Sequence, residues 1–419
     1  MTASGSRTII LLLGLAVCAV TAVRAQVADS RLTRGVEAPG PDATLVSAPL
    51  PADLADGAQH AWKAWARPNT DREEFVPAQV TAVGPWGAGG RPGPWAAFAL
   101  AKDWPGQLPV RLLMNRDISD WLPDEPRFRW EDVGGERRQL LEGDRPVLAY
   151  VYAMVLPEGV PANFRRSCYV HPLYGLDGEV LSDDFPADHY HHRGLFWRWA
   201  HVKVGEQDFD QWAVAGAEAR FEAWLAQEAG PVCAVLGARN GWYIGDRKIV
   251  DEEAWVRVWP TGEVGRALDV CLVLNATTDP VELRGREGKG YSGFGFRYAP
   301  REGPVVTTSG GVQPQDSDHQ PFTWADESGR FAGAEQMAGV ALFPDPGNPG
   351  APNGWCLRHY GYIGVGWPGL GSYTLQAGRP LVLRYRVWVH RGDAEQGQVA
   401  HAYAAFAQPP VVAVETAAP

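Results

Sequence analysis

Leu381-Val382-Leu383-Arg384-Tyr385-Arg386-Val387-Trp388-Val389-His390 alternates without a break. Leu381, Leu383, Tyr385, Val387 and Val389 share one side, and Val382, Arg384, Arg386, Trp388 and His390 share the other. A period of two marks a strand, because successive side chains leave opposite faces. The continuous apolar side must pack a core. Two readings of the second side stay open. It lines a polar cleft, or it is an exposed sheet face where arginines lie along tryptophan. His390 is taken as the functional residue of this face.

Working outward, residues 254–259 repeat the pattern, with Trp255, Arg257 and Trp259 opposite Ala254, Val256 and Val258. A Thr261-Gly262 turn leads to a second strand over 263–275, whose inward face carries Leu268, Val270, Leu272 and Leu274. Further strands are expected at 76–83, 95–100, 110–114, 146–155, 338–343 and 355–365. Residues 217–226 fit a short helix or a strand. The 48 glycines and 34 prolines punctuate many turns and argue against a helical bundle. Many antiparallel strands in one large unit imply two stacked sheets. The expected fold is therefore all-β, a large antiparallel β-sandwich.

The ends read differently. Arg7, an apolar run over 9–20 and Val23-Arg24-Ala25 make residues 1–25 a signal peptide, too short for a comfortable membrane span. Residues 26–58 are expected as a flexible leader, 59–407 as a single β-sandwich domain and 408–419 as a disordered tail. The protein is thus expected to be exported, periplasmic or extracellular. Removing Arg7 and Arg24 leaves 36 bases against 49 acids, a charge of −13. Such a chain repels phosphate backbones, so nucleic acid is not an expected partner. Cys168, Cys233, Cys271 and Cys356 lack metal-finger spacing. They form up to two disulfides or, as the strand-like setting of Cys271 equally allows, stay as buried thiols.

Chemistry concentrates at Asp188-His189-Tyr190-His191-His192-Arg193-Gly194. Imidazole exchanges a proton near neutrality and also binds metals. In an extended chain His189 and His191 point one way and His192 the other, so one strand does not aim all three at one centre. The competing reading is a loop, bracketed by Pro186 and Gly194, whose histidines only hold a turn. His189, His191, His192, Glu287 and His390 are the catalytic candidates. His171, Arg193, Trp199, Arg358 and Tyr360 are the substrate-binding candidates.

Glu287 sits in a glycine-bounded connection, Arg286-Glu287-Gly288, and reads as an acid/base partner or a charged hairpin tip. Arg358 and Tyr360 share a face of an extended segment and suit a hydroxylated or carboxylated ligand. The 18 tryptophans suit sugar stacking as well as core filling, with Trp197 and Trp199 beside the histidines. His189 and His191 also form a His-x-His pair, so a divalent transition metal is a candidate cofactor if His390, Glu287 or His171 supplies a further ligand. No nucleophile elbow or nucleotide-binding loop occurs in convincing context.

Together, Tyr169-Val170-His171-Pro172-Leu173, Gly178-Glu179-Val180-Leu181, the histidine run, Arg286-Glu287-Gly288, 353–361 and His390-Arg391-Gly392-Asp393 resemble the PmoA-like family of secreted bacterial proteins of uncharacterised function. The resemblance spans about residues 75–407. It implies a β-sandwich associated with carbohydrate breakdown, similar to the galactose-mutarotase supersandwich. A membrane methane mono-oxygenase subunit is not implied, since no further long apolar stretch follows the first. Where the family has Asp-His-Pro, this chain reads Pro344-Asp345-Pro346, which removes that histidine's role or moves it to His359.

The expected function is that of an exported carbohydrate-active enzyme, using His/Glu acid–base chemistry on a sugar or glycoside, in hydrolysis, elimination or epimerisation. The alternatives are a non-catalytic carbohydrate-binding protein and a metal-dependent oxidoreductase.

Overall fold

The alternating segment forms a strand that spans Leu381–Arg391. Its apolar side is buried as expected, with Leu383, Val387 and Val389 at 0% exposure. It pairs antiparallel with Gly265–Ala276 on one edge and Ala338–Pro344 on the other. The computed structural model describes residues 44–50, 61–68, 74–81, 84–86, 95–100, 110–115, 127–409 and 412–416. The expected signal peptide lies outside them.

Among the described residues, two nine-stranded antiparallel sheets dominate. One carries Leu381–Arg391 at its centre. The other contains Tyr169–Leu173, Leu195–Arg198, Gly293–Arg297, Tyr362–Gly366 and Gly354–Arg358. Apolar side chains of both sheets, such as Val170, Trp197 and Phe296 against Leu268, Val340 and Val387, share one core. Phe294 of one sheet lies flat on Tyr385 of the other, with centroids 4.1 Å apart. The chain is therefore an antiparallel β-sandwich. Each fully buried Val, Leu or Phe side chain contributes roughly 1.5–3 kcal/mol to holding the sheets together.

The second side of Leu381–Arg391 is neither a cleft lining nor an exposed face. Trp388, Trp255, Trp259 and Phe343 form a further buried cluster with Ala97 of the six-stranded N-terminal sheet and with Val399 of the helix Val399–Ala407. Arg257 and Arg386 are neutralised inside this layer. Asp269 accepts from Arg257 Nη2 at 2.8 Å, Arg386 Nε at 2.6 Å and Trp259 Nε1 at 2.8 Å. Burial alone would raise the Asp269 carboxyl, but the two guanidiniums hold it far below the usual range. Local alternation identified the two faces; it could not show that a second layer covers the polar one.

Other expectations change for similar reasons. Of residues 217–226, all but Ala217 lie within the strand Glu218–Ala229. Thr44–Pro49, inside the expected leader, pairs with Trp95–Leu100. Val412–Thr416, inside the expected tail, pairs parallel with Val110–Asn115. The β-branched residues Val412, Val414 and Thr416 favour a strand once an open edge is available. Cys168, Cys233, Cys271 and Cys356 are buried free thiols, each pushed up to about 12 mainly by burial.

Candidate functional site

The histidine run precedes the strand Leu195–Arg198 and folds as successive turns. His189 N–H donates to Pro186 O at 2.9 Å, and His192 N–H donates to His189 O at 2.8 Å. A turn has no strict alternation, so all three imidazoles gather. The His189 and His192 rings stack at 4.8 Å and 13°. His191 meets them edge to face, at 5.5 Å from His189 and 4.6 Å from His192. The strand-based expectation that the three rings diverge is thus corrected.

Two buried arginines fasten this turn. Arg193 donates to Tyr190 O, His192 O and Phe164 O at 2.6–2.7 Å, and its guanidinium lies 3.4 Å from the Phe185 ring centroid. Arg166 donates to His191 O at 2.8 Å and to Trp212 O at 2.9 Å. Arg193 was expected to bind substrate. With 0% exposure it instead supports the backbone that presents the histidines.

The outer rim is polar and aromatic. Asp188 is exposed, His189 and His191 are half-buried, and Tyr360 is 42% exposed. Tyr360 stacks on His189 with centroids 4.9 Å apart at 15°. His189 Nδ1 lies 3.0 Å from Asp188 Oδ2, at ion-pair range but poorly aligned for a hydrogen bond. Arg297 Nη2 donates to both Asp188 oxygens at 2.9 Å. Partial burial would raise the Asp188 carboxyl, yet its contacts with His189 and Arg297 keep it below the usual range. Arg297 also lies 4.9 Å over the Tyr360 ring. Arg297 was not singled out in the sequence, because only tertiary pairing brings it to Asp188, 109 residues away.

Deeper in, the rings are neutral. Burial, reinforced by the Arg166 charge, takes His191 down to about 3. Burial and the neighbouring His191 take His192 far below its ordinary value. His192 packs against Tyr362 at 4.9 Å and Trp212 at 5.9 Å, and its Nδ1 has no partner. Burial similarly holds the Tyr360 hydroxyl above the usual phenol range, so it stays a donor.

The remaining candidates disperse. Glu287 accepts from His201 Nε2 at 2.9 Å and Arg284 Nη2 at 3.2 Å on the exposed surface of a four-stranded sheet, with Asp208 on the other nitrogen of His201 at 2.8 Å. It is a surface ion-pair member, not the partner of the histidine run. His390 is fully buried, with Nε2 2.8 Å from Asp326 Oδ1. Trp199 is a core residue whose Nε1 donates to Trp367 O at 3.0 Å. His171 serves its own strand: Ser182 Oγ accepts from Leu173 N–H at 2.8 Å and lies 2.9 Å from His171 Nδ1. Arg358 reaches the neighbourhood of Tyr360 but is turned to Asp318 at 2.6 Å. Among the described residues, no group of three histidine, cysteine or carboxylate side chains is arranged to hold a metal. The expected ligands His189 and His191 meet edge to face, and the further ligands they needed, His390, Glu287 and His171, are engaged elsewhere.

Comparison with solved structures returns distant likenesses. A galactose mutarotase related enzyme from Lactobacillus acidophilus matches at TM-score 0.30 and 8% identity, over 63% of this chain and 97% of that one. A human-microbiome protein assigned as a kojibiose phosphorylase matches at TM-score 0.28 and 7% identity, over 60% of this chain. The 4-alpha-glucanotransferase from Thermococcus litoralis matches at TM-score 0.20 and 10% identity, over 64% of this chain. The aligned region spans 28% of the phosphorylase and 40% of the glucanotransferase. At these TM-scores the likenesses carry no argument about chemistry. No curated protein matches the sequence. One family model does, over residues 137–404, which include both the histidine turn and Tyr360. The chain belongs to that family, a family of unknown function (DUF6807).

Proposed function

We propose that this protein is an exported carbohydrate-active enzyme that moves a proton on a sugar or glycoside with His189 as its general base. Export and kinship with the PmoA-like proteins are parts of the same proposal. The observation that carries it is the exposed stack of Tyr360 on His189, with an arginine-held Asp188 at His189 Nδ1. A carboxylate at Nδ1 favours a proton there and leaves Nε2 free to accept one. Tyr360 stays a phenol and donates to a ligand oxygen. The neutral His191 and His192 wall the base without adding charge. Glu287 has no part in this version.

The test is product formation by the purified protein on a panel of mono- and oligosaccharides, followed by His189→Gln and Asp188→Asn. Loss of about 10²–10⁴ in kcat for His189→Gln is expected, the usual worth of a positioned base. Wild-type turnover in both variants ends the assignment. The exposed face of Tyr360 also favours a second reading, sugar binding without turnover. Binding abolished by Tyr360→Ala, with no product from any sugar, selects it.

A further inference from the structure

A separate cavity of about 520 Å³ opens between Asn163, Arg165, the turn carrying Val214, the strand residue Glu218, and the Arg220–Tyr243 pair. Arg165, Val214, Ala217 and Glu218 also line a smaller recess of about 10 Å³, so the two spaces adjoin. The recess adds Arg166, Arg198 and Gln211. Its volume suits one water-sized atom.

Three features mark it as a built site. Gln211 is 1% exposed, yet neither its Nε2 nor its Oε1 has a partner. A buried amide left unmatched on both atoms costs free energy unless something fills the space. Arg166 is 5% exposed, and its partners are backbone carbonyls of His191, Gln211 and Trp212, with no carboxylate in ion-pair range among the described residues. Arg198 has Glu252 at 3.6 Å, but that carboxylate also accepts from Trp242 and Asn240. Among the described residues, Glu252 is thus the one carboxylate in ion-pair range of these two guanidiniums, it faces Arg198 alone, and it already has other donors. Buried charge of this kind calls for a counter-charge. At the mouth, the exposed Arg165 side chain makes no ion pair among the described residues. This cationic excess stands out in a chain of net charge −11.

We propose that this cavity binds an acid sugar, a uronic acid, with one carboxylate oxygen entering the recess beside Gln211 and the body of the sugar in the outer space. The inner wall supplies donors from Arg166, Arg198 and the Gln211 amide. The outer wall supplies what a sugar needs and a bare anion does not. The Glu218 carboxylate, neutralised by Arg220 at 2.6 Å, accepts from hydroxyls, and Asn163 and Tyr243 add a polar rim. The site goes beyond the histidine reading and stands whether or not His189 is catalytic. Arg166 does link the two, since the guanidinium lining the recess also holds His191 O.

Calorimetric titration of the full chain with sodium glucuronate, glucose and sodium sulfate tests the assignment. Saturable glucuronate binding is expected, with glucose and sulfate each at least about tenfold weaker. Arg165→Glu, a surface change that leaves folding intact, weakens glucuronate by about tenfold or more. Gln211→Leu, with its fold checked by circular dichroism, also weakens it. His189→Gln leaves the affinity unchanged, which separates this site from the histidine turn. Equal binding of glucose and glucuronate overturns the proposal, as does unaltered affinity in Arg165→Glu or the absence of saturable binding. Sulfate binding as tight as glucuronate overturns it too, by reducing the cavity to a simple anion site.

Discussion

The turn at 186–192 packs three imidazoles ring against ring, whereas the strand Leu381–Arg391 buries one imidazole against a carboxylate. In the turn, His189 stacks on His192 and His191 stands edge-on, and the His192 Nδ1 lacks a partner. At His390, Nε2 faces Asp326 at 2.8 Å and Nδ1 faces Arg391 O at 3.2 Å. Both ring nitrogens thus have a polar partner. His201, between Asp208 and Glu287, and His359, between Asp316 and Gln313 O, repeat that second arrangement nearer the surface. In the second arrangement an acceptor meets each ring nitrogen, whereas in the turn rings meet rings and burial takes His191 and His192 below their ordinary value. Density of histidines in sequence is therefore a poor guide to what each ring meets, and tertiary contacts decide it.

The largest effect that would break this comparison is expected at His390. His390→Ala leaves the fully buried Asp326 with only the Ser328 hydroxyl at 3.3 Å. A loss of about 3–5 kcal/mol in urea unfolding is expected, as for removal of one partner from a buried pair. A loss near zero would remove the contrast with the ring cluster.

Acid should act next. His191 and His171 are both taken down to about 3, mainly by burial, from an ordinary value near 6.5. Between those values the unfolded chain binds more protons than the folded one. Their contribution is therefore fully present above pH 6.5 and is lost as pH falls toward 3. Asp184, pushed up to about 6 mainly by burial, works in the opposite sense between its ordinary value of 3.8 and 6. The clean readout is thus a difference. The urea midpoint of His191→Gln should fall less steeply over this window than that of the wild type, and parallel curves refute a neutral His191.

A smaller change sharpens the contrast. His192→Phe replaces a neutral ring that has an orphaned nitrogen by an apolar ring of similar shape. It should cost less than about 1.5 kcal/mol, the usual cost of a volume-conserving swap. A cost matching that of His390→Ala would erase the distinction between the two regions. Smallest of all, Glu287→Gln should leave the thermal midpoint unmoved, because its ion pairs are exposed to solvent. A clear drop would give the His201 cluster a structural weight that its exposure does not suggest.

Much of the architecture was legible locally. Alternation at Leu381–Arg391 and Gly265–Ala276 named the inward residues correctly, because strand geometry alone assigns side chains to faces. The histidine turn was legible as a dense motif, and Pro186 and Gly194 marked it as a connection. Three candidates failed for one reason. Arg193, Trp199 and His390 have residue types suited to ligands, but each is covered by segments far away in sequence. Arg297 escaped notice because nothing near it in the chain points to Asp188. The cavity at Arg165 and Gln211 was equally invisible, since its walls come from four separated stretches.

By itself, then, the order of residues determined the strands, their inward faces and the presence of three neighbouring imidazoles, because those depend on backbone periodicity and local turns. The tertiary structure alone decided which polar face was covered, which imidazoles lost their charge and which arginine came to Asp188. Those outcomes depend on desolvation and on pairings between distant segments, and no local pattern encodes either.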